Sequence, residues 1–324
     1  MDPTPNRPGA LLACLRPRQW VKNVLLFGGL AFTGRWHQAS SGQGWAALLN
    51  WLDIGHSVAA FVVFCLLSSA GYVINDIHDV EQDRRHPRKC KRPIAAGTVT
   101  VTAGWALAVV CFTLGLGWSY WLGLRGGQTT YFLVTAVCYA VLTNWYSFQL
   151  KSFVIIDVLC LGILFVLRAI AGCYVIPEPP SPWIVVCTLF GALFIGLCKR
   201  RAELSASPAE GRGETRSVLA KYHTATGYSE ALLDQMIQMA GTATILTYSL
   251  YTFFRPQELG ATAEQTGLMF TIPFVVYGVF RYLYLVHKQD IGQRPEALFG
   301  DRAMLLNLLL WGLVAVFVTR GRRL

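Results

Sequence analysis

Residues 55–83 read GHSVAAFVVFCLLSSAGYVINDIHDVEQD, an apolar run followed at once by the acidic pattern Asn75, Asp76, Asp79 and Asp83. A membrane-spanning helix needs about 20 mostly apolar residues, and 55–75 supplies them. At about 100° per residue, Asn75, Asp76, Asp79 and Asp83 fall within roughly one quadrant of a helix continued past the span. Three carboxylates and an amide on one side repel each other unless a cation intervenes. Hard oxygen donors of this kind suit Mg²⁺, which usually takes one or two protein carboxylates and completes its shell with water and phosphate oxygens. The plainer reading is a solvated acidic helix end. Against it stands the next stretch, Arg84, Arg85, Arg88, Lys89, Lys91 and Arg92, where a cationic loop follows the carboxylate face. That pairing suits a magnesium diphosphate.

The rest of the chain agrees with a bilayer environment. It has 324 residues, 54% hydrophobic and 14% charged, with mean hydropathy +0.43, which is too little polar surface to cover a soluble globule. Further candidate spans lie near 20–34, 102–122, 129–145, 153–175, 183–198, 235–254, 267–286 and 303–319. The expected fold class is therefore all-α, a polytopic membrane bundle of about nine transmembrane helices in one domain over 1–324. No removable signal peptide is expected before the first apolar segment.

Lys and Arg gather on alternate loops: Arg16, Arg18 and Lys22, then 84–92, Lys151, 199–221, and Lys288, Arg294 and Arg302. The intervening loops hold Arg35, Arg125 and Arg255, and the tail with Arg320, Arg322 and Arg323 breaks the rule for an odd span count. The basic loops are expected in the cytoplasm. Loops 76–101, 146–152, 199–234 and 287–302 would then form the active-site face. The net charge of +10 is explained by these loops beside anionic lipid, without nucleic acid as a partner. The nine cysteines include no C-x-x-C pair and read as small apolar residues. Glycines such as Gly115, Gly117, Gly191 and Gly196 are expected to allow close helix approach, and the run from Pro177 to Pro182 reads as a plain extended linker.

Two more inner clusters could face the acidic motif. Tyr146 to Lys151 closes the fourth span, followed by Asp157 and Arg168 inside the fifth. Ionised groups within a span are costly and face a partner or a wet cavity. Their separation places them on one helix face but too far apart to pair. Lys199 and Arg200 end the sixth span, before a polar stretch with Gly211, Gly213, Arg216 and Tyr222, and Arg281 lies in the eighth with Tyr282 and Tyr284.

With about nine spans and N-D-x-x-D-x-x-x-D after the second, the sequence resembles the UbiA superfamily of intramembrane prenyltransferases. The opening from Arg16 to Asn23, His86-Pro87, the run from Arg92 to Gly97, the run from Leu167 to Gly172, Lys199-Arg200, Ala202 to Leu204, Arg281-Tyr282, Pro295-Glu296 and Asp301-Arg302 resemble its phosphoribosyl-transferring branch. The resemblance implies a central cavity open to the cytoplasm in a bacterial inner membrane. It implies Mg²⁺ as cofactor, and transfer of 5-phosphoribose from phosphoribosyl diphosphate to a decaprenyl-type polyprenyl phosphate, towards an arabinose-donor lipid for cell-wall arabinan. Asp76, Asp79 and Asp83, with Asn75, would hold the metal, and these aspartates with Lys151 would be catalytic. Lys22, Arg84, Lys89, Arg92, Tyr146, Asp157, Arg168, Lys199 and Arg200 would bind substrate. Ordinary members carry a second acidic motif where this chain has Tyr146 to Lys151, and a lysine there suits a second anionic substrate. The alternatives are an aromatic or haem-type prenyltransferase using an allylic diphosphate, and more distantly a secondary transporter, whose repeated halves are not evident here. Whether the chain forms a homo-oligomer is left open by the sequence.

Overall fold

The structure, a computed structural model, describes residues 6–32, 51–85, 89–124, 129–176, 179–205, 227–258, 267–289 and 300–320. His86 to Arg88, Arg35, Arg125, Pro177, Glu178, the 206–226 stretch with Gly211, Gly213, Arg216 and Tyr222, the 290–299 stretch with Arg294, Pro295 and Glu296, and the tail from 321 lie outside it, as do the side chains of Arg255, Lys288 and Arg320. The described residues are helical, with no strand among them. The helices are α1 Pro8–Cys14, α2 Gly28–Phe32, α3 Trp51–His78, α4 Val80–Arg85, α5 Val101–Gly123, α6 Thr129–Phe148, α7 Ile156–Val175, α8 Pro182–Ser205, α9 Glu230–Glu258, α10 Ile272–Gln289 and α11 Arg302–Arg320. Tighter 3₁₀ turns fill Pro17–Phe27, Lys89–Lys91, Leu150–Ser152 and Gly267–Thr271.

Local sequence sets the helix starts. Pro8, Pro17 and Pro182 stand at first-turn positions, where a missing N–H costs nothing. Thr100 Oγ1 accepts from the Ala103 N–H at 3.2 Å, Ser181 Oγ from Trp183 at 3.2 Å, and Asp301 Oδ1 from Met304 at 2.8 Å. Each hydroxyl or carboxylate satisfies an amide that the helix leaves open.

Five helical stretches are long and apolar enough to cross a membrane: Trp51–His78, Val101–Gly123, Ile156–Val175, Pro182–Leu204 and Gly267–His287. The expected spans near 129–145, 235–254 and 303–319 are helical too, as α6, α9 and α11; polar residues dilute α6 and α9, whereas Arg302–Ala315 in α11 is apolar but shorter. In α6 the polar groups bond back along their own helix: Thr135 to the Tyr131 carbonyl at 2.7 Å, Asn144 to Ala140 at 2.7 Å and Ser147 to Thr143 at 3.0 Å. Such self-satisfaction keeps a polar helix compatible with lipid. The first expected span, 20–34, is not one helix over its described part, which passes from the Pro17–Phe27 turn into the five residues of α2.

The described residues divide into two compact units, 6–32 with 51–85, 89–124, 129–176 and 179–180, and 181–205 with 227–258, 267–289 and 300–320. In the first, α3 is the central element. It packs against α5, α6, α7 and the Pro17–Phe27 segment, and 67% of its apolar window is buried against 22% for α5. Phe64 on α3 meets Tyr139 and Phe132 on α6, with ring centroids 5.0 and 6.1 Å apart, in a core shared with Leu26, Leu67 and Leu164. A second cluster of Val73, Ile74, Ile77, Ile94 and Val99 sits where α3 ends. In the second unit, α9 packs along α8 and also meets α10, which packs on α11.

Of the glycines expected to allow close helix approach, Gly115 does so and Gly117 and Gly191 do not. A Cβ on Gly117 or Gly191 would meet no described heavy atom within 4 Å, whereas one on Gly115 would press on Leu67 Cδ2 at 2.9 Å. The tightest contacts join α7 to the end of the Pro17–Phe27 segment and to α2. A Cβ on Gly29 would lie 2.3 Å from the Gly172 carbonyl oxygen, and one on Gly172 would lie 2.0 Å from the Leu26 carbonyl oxygen.

Candidate functional site

The acidic motif straddles the break between α3 and α4. Hydrogen bonds from Asp79 N–H to the Asn75 carbonyl at 2.9 Å and from Asp83 N–H to the Asp79 carbonyl at 2.8 Å keep the register helical across it. Asn75 and Asp79 therefore lie one turn apart, as do Asp79 and Asp83. Asp76 and Asp83 are almost fully buried, and Asp79 is half-buried.

The four donors do not converge on one point. They divide into two pairs, each with a cation between its members. Arg92 Nη1 donates to Asp76 Oδ1 at 3.0 Å and to Asp83 Oδ2 at 2.5 Å. Lys151 Nζ donates to Asp79 Oδ1 at 2.7 Å, to Asp79 Oδ2 at 2.8 Å and to Asn75 Oδ1 at 3.4 Å. A third cation, Arg16, donates from Nη2 to the same Asp76 Oδ1. Among the described residues no three His, Cys, Asp or Glu groups gather as a metal-holding cluster. The arrangement is a neutralised lattice of three carboxylates and three cations.

The chain folds each cation into place by local means. Arg92 opens a tight loop in which Ala96 N–H bonds the Arg92 carbonyl at 2.8 Å and Val99 N–H bonds Pro93 at 3.1 Å. Gly97 takes φ +75°, where a side chain would be strained, and Ile94 is sunk into the cluster beside Ile77. These anchors aim Arg92 at the α3 terminus. Lys151 sits in the short turn between α6 and α7, which Ile155 closes at φ 71°. A β-branched residue in that region is a true outlier, held by its surroundings. Arg16 is likewise left-handed, at φ 52° and ψ 60°, because the following Pro17 bars it from continuing α1. Its guanidinium lies 5.1 Å from the Tyr72 ring centroid.

These contacts set the carboxylate chemistry. Burial pushes the Asp79 carboxyl up, but the Lys151 hydrogen bonds, the His78 contact and both charges outweigh it and hold the group below its ordinary value. At Asp83 burial prevails over Arg92 and the nearby Lys89 charge, so this carboxyl is raised. Adjacent carboxylates are thus driven in opposite directions.

Other expected site residues are distributed more widely. Arg84 braces the loop, donating to Glu81 Oε1 at 2.8 Å and to the Ala95 carbonyl at 3.4 Å. Lys22 and Tyr146 are half-buried, and Asp157 is fully buried in the first turn of α7. Arg168 does not reach the acidic motif. It is buried in the core, donating to Asn23 Oδ1 at 2.8 Å, to Tyr139 Oη at 2.6 Å and to the Leu164 carbonyl at 2.9 Å. Asn23 in turn reaches Ser68 Oγ at 3.4 Å. In the second unit, Arg200 pairs with Glu203 at 2.7 Å and Lys199 with the same residue at 3.8 Å, while Arg281 pairs with Asp301 at 2.8 Å.

Three participants were not singled out from sequence. Arg16 entered as one of the basic loop residues and within a longer motif, with no site role. His78 lies inside the acidic stretch, with Nδ1 2.9 Å from Asp79 Oδ1 and its ring edge-on to Phe148. Asn23 entered only as the end of the motif that opens at Arg16; it is fully buried and accepts from Arg168.

An all-helical membrane bundle with an acid–base lattice at the end of its central helix defines the class of protein. The chain belongs to the UbiA prenyltransferase family, whose model matches residues 38–206. It is 31% identical to decaprenyl-phosphate phosphoribosyltransferase of Mycolicibacterium smegmatis over 95% of this chain and 92% of that protein. It is 32% identical to the enzyme of the same name from Corynebacterium glutamicum, over 96% of this chain and 86% of that one. The fold is similar to that of a UbiA homolog from Archaeoglobus fulgidus bound to GPP and Mg²⁺, with a TM-score of 0.65, 15% identity and 96% of each chain covered.

Proposed function

We propose that the chain transfers 5-phosphoribose from phosphoribosyl diphosphate to a polyprenyl phosphate and releases diphosphate. The observation that carries this reading is Lys151 seated between Asn75 and Asp79, in the segment where ordinary family members are expected to place further carboxylates. The named relatives, matched over nearly their whole length, support it. In this reading about nine helices span a bacterial inner membrane, and the lattice faces the cytoplasm.

The donor set fits Mg²⁺: hard oxygens on Asp76, Asp79, Asp83 and Asn75 already hold cations in pairs, and Mg²⁺ needs only one or two protein carboxylates beside phosphate and water. Bound there, Mg²⁺ would neutralise charge on a departing diphosphate. The protein's own cations do the rest. Arg92, Lys89 and Lys151 orient phosphates, and the buried lattice holds fixed charge where charge develops. A lipid phosphate oxygen forms a bond to ribose C1 as the bond from C1 to the diphosphate oxygen breaks, and the electron pair leaves with diphosphate. The nucleophile is already anionic, so positioning and electrostatics suffice without a strong general base. In-line displacement inverts the anomeric centre. Arg168, locked between Asn23 and Tyr139, holds the bundle in shape rather than touching the phosphates.

Purified protein in detergent, given Mg²⁺, labelled phosphoribosyl diphosphate and polyprenyl phosphate, should yield labelled lipid. Turnover only with an allylic diphosphate and an aromatic acceptor would overturn the reading in favour of ordinary prenyl transfer.

A further inference from the structure

Two guanidinium groups, those of Arg16 and Arg92, share one oxygen of one buried carboxylate, Asp76 Oδ1. That oxygen cannot keep both and also take a metal ion, because each approach uses its lone pairs and like charges would crowd within a few ångströms. A metal that binds through this oxygen therefore displaces one arginine. Arg92 is the poorer candidate: it also holds Asp83, and its loop is pinned by Ile94 and the Gly97 turn. Arg16, as exposed as Arg92, has a single carboxylate partner among the described ion pairs and sits on the left-handed residue joining α1 to the Pro17–Phe27 segment. Tyr72 gives its guanidinium an aromatic face to rest on after release.

Charge makes the exchange productive. Three carboxylates against three cations leave the lattice neutral. Adding Mg²⁺ while keeping every cation gives a surplus of positive charge suited to a diphosphate. An arginine freed from Asp76 is then a planar, permanently charged donor beside that anion.

Building on the magnesium diphosphate reading above, we propose that Arg16 is an exchangeable counter-ion: it occupies Asp76 in the resting chain and transfers to the diphosphate when the metal takes its place. The same side chain therefore opposes metal binding and favours anion binding. A structural brace would support both.

The opposed signs are the test. Mn²⁺ binding to the detergent-purified protein is read by electron paramagnetic resonance, and labelled inorganic diphosphate binding at saturating Mn²⁺ by equilibrium dialysis. Arg16→Gln is expected to tighten Mn²⁺ and weaken diphosphate, each by about five-fold, the scale of a partly buried charge contact. Arg16→Lys, which keeps the charge, is expected to restore most of both. Weakening of both ligands by Arg16→Gln, or a change in neither, overturns the proposal while leaving the metal reading intact. Wild-type protein that binds no Mn²⁺ overturns the metal reading, and this one with it.

Discussion

Lys151 and Asp79, 72 residues apart in the chain, meet through both carboxylate oxygens, Nζ lying 2.7 Å from one and 2.8 Å from the other. The contact ties the turn between α6 and α7 to the end of α3. It also fixes the sign of a pH effect. Asp79 is depressed in the folded chain, so its contribution is present above the unfolded carboxyl range, about pH 4, and is lost as pH falls through the folded value. Lys151→Ala removes the main opposing influence and leaves burial dominant, which raises Asp79 and inverts the trend. The Asp79 contribution to the wild-type melting temperature in detergent should be lost on the acid side. The melting temperature of the variant should be lower at pH 7 and recover as pH drops towards 5; parallel curves would argue against the pairing.

Arg92 is the sole cation bridging Asp76 and Asp83 among the described ion pairs. Arg92→Gln leaves two buried carboxylates facing each other and should cost about 3 kcal/mol, the scale for breaking a buried pair. Asp83 is already raised by burial, and a raised carboxyl loses stability as pH climbs through its folded value. Adding Asp83→Asn to Arg92→Gln removes that liability and should return part of the loss. A double-mutant cycle on chemical or thermal unfolding measures the coupling, and strict additivity would sink the idea.

The Arg168 network should be intolerant even of a conserved charge. Its planar fork reaches Asn23, Tyr139 and a backbone carbonyl in three directions, which one ammonium cannot reproduce. Arg168→Lys is expected to lose about 2 kcal/mol or more, and Tyr139→Phe about 1.5 kcal/mol. If Arg168→Lys melts with the wild type but loses turnover, Arg168 is a substrate group after all.

Gly172→Ala should destabilise by about 3 kcal/mol, because backbone rather than a flexible side chain blocks the new methyl. Gly191→Ala, with open space around it, should be neutral or slightly stabilising. Melting temperatures of the two variants side by side decide this, and equal values would contradict the packing described.

What was legible in sequence follows from what leaves a pattern. Long apolar runs announce helices, and the acidic spacing announced a carboxylate cluster, the candidate site, at the end of α3, since both arise within one segment. The grouping of its four donors into two bridged pairs did not show, because it depends on Arg92 and Lys151 arriving from separate turns. Arg168 drew attention as a charge inside a span, but its partner Asn23 lies 145 residues earlier and carries no local mark. The glycines misled for the same reason. A glycine-rich stretch at Gly191 is conspicuous, whereas Gly29 and Gly172 matter only because two distant backbones touch.

That last contact bears on how the protein is made. The segment carrying Arg16, Asn23 and Gly29 leaves the ribosome before α7, so its seats on Gly172 and Arg168 emerge more than a hundred residues later. Until α7 is inserted, this segment has no Gly172 to dock against and no Arg168 to satisfy Asn23. Assembly of the first unit must close on its beginning. A truncation ending before α7 should therefore leave residues 8–32 open to protease in nascent membranes, and one extended through Val175 should protect them.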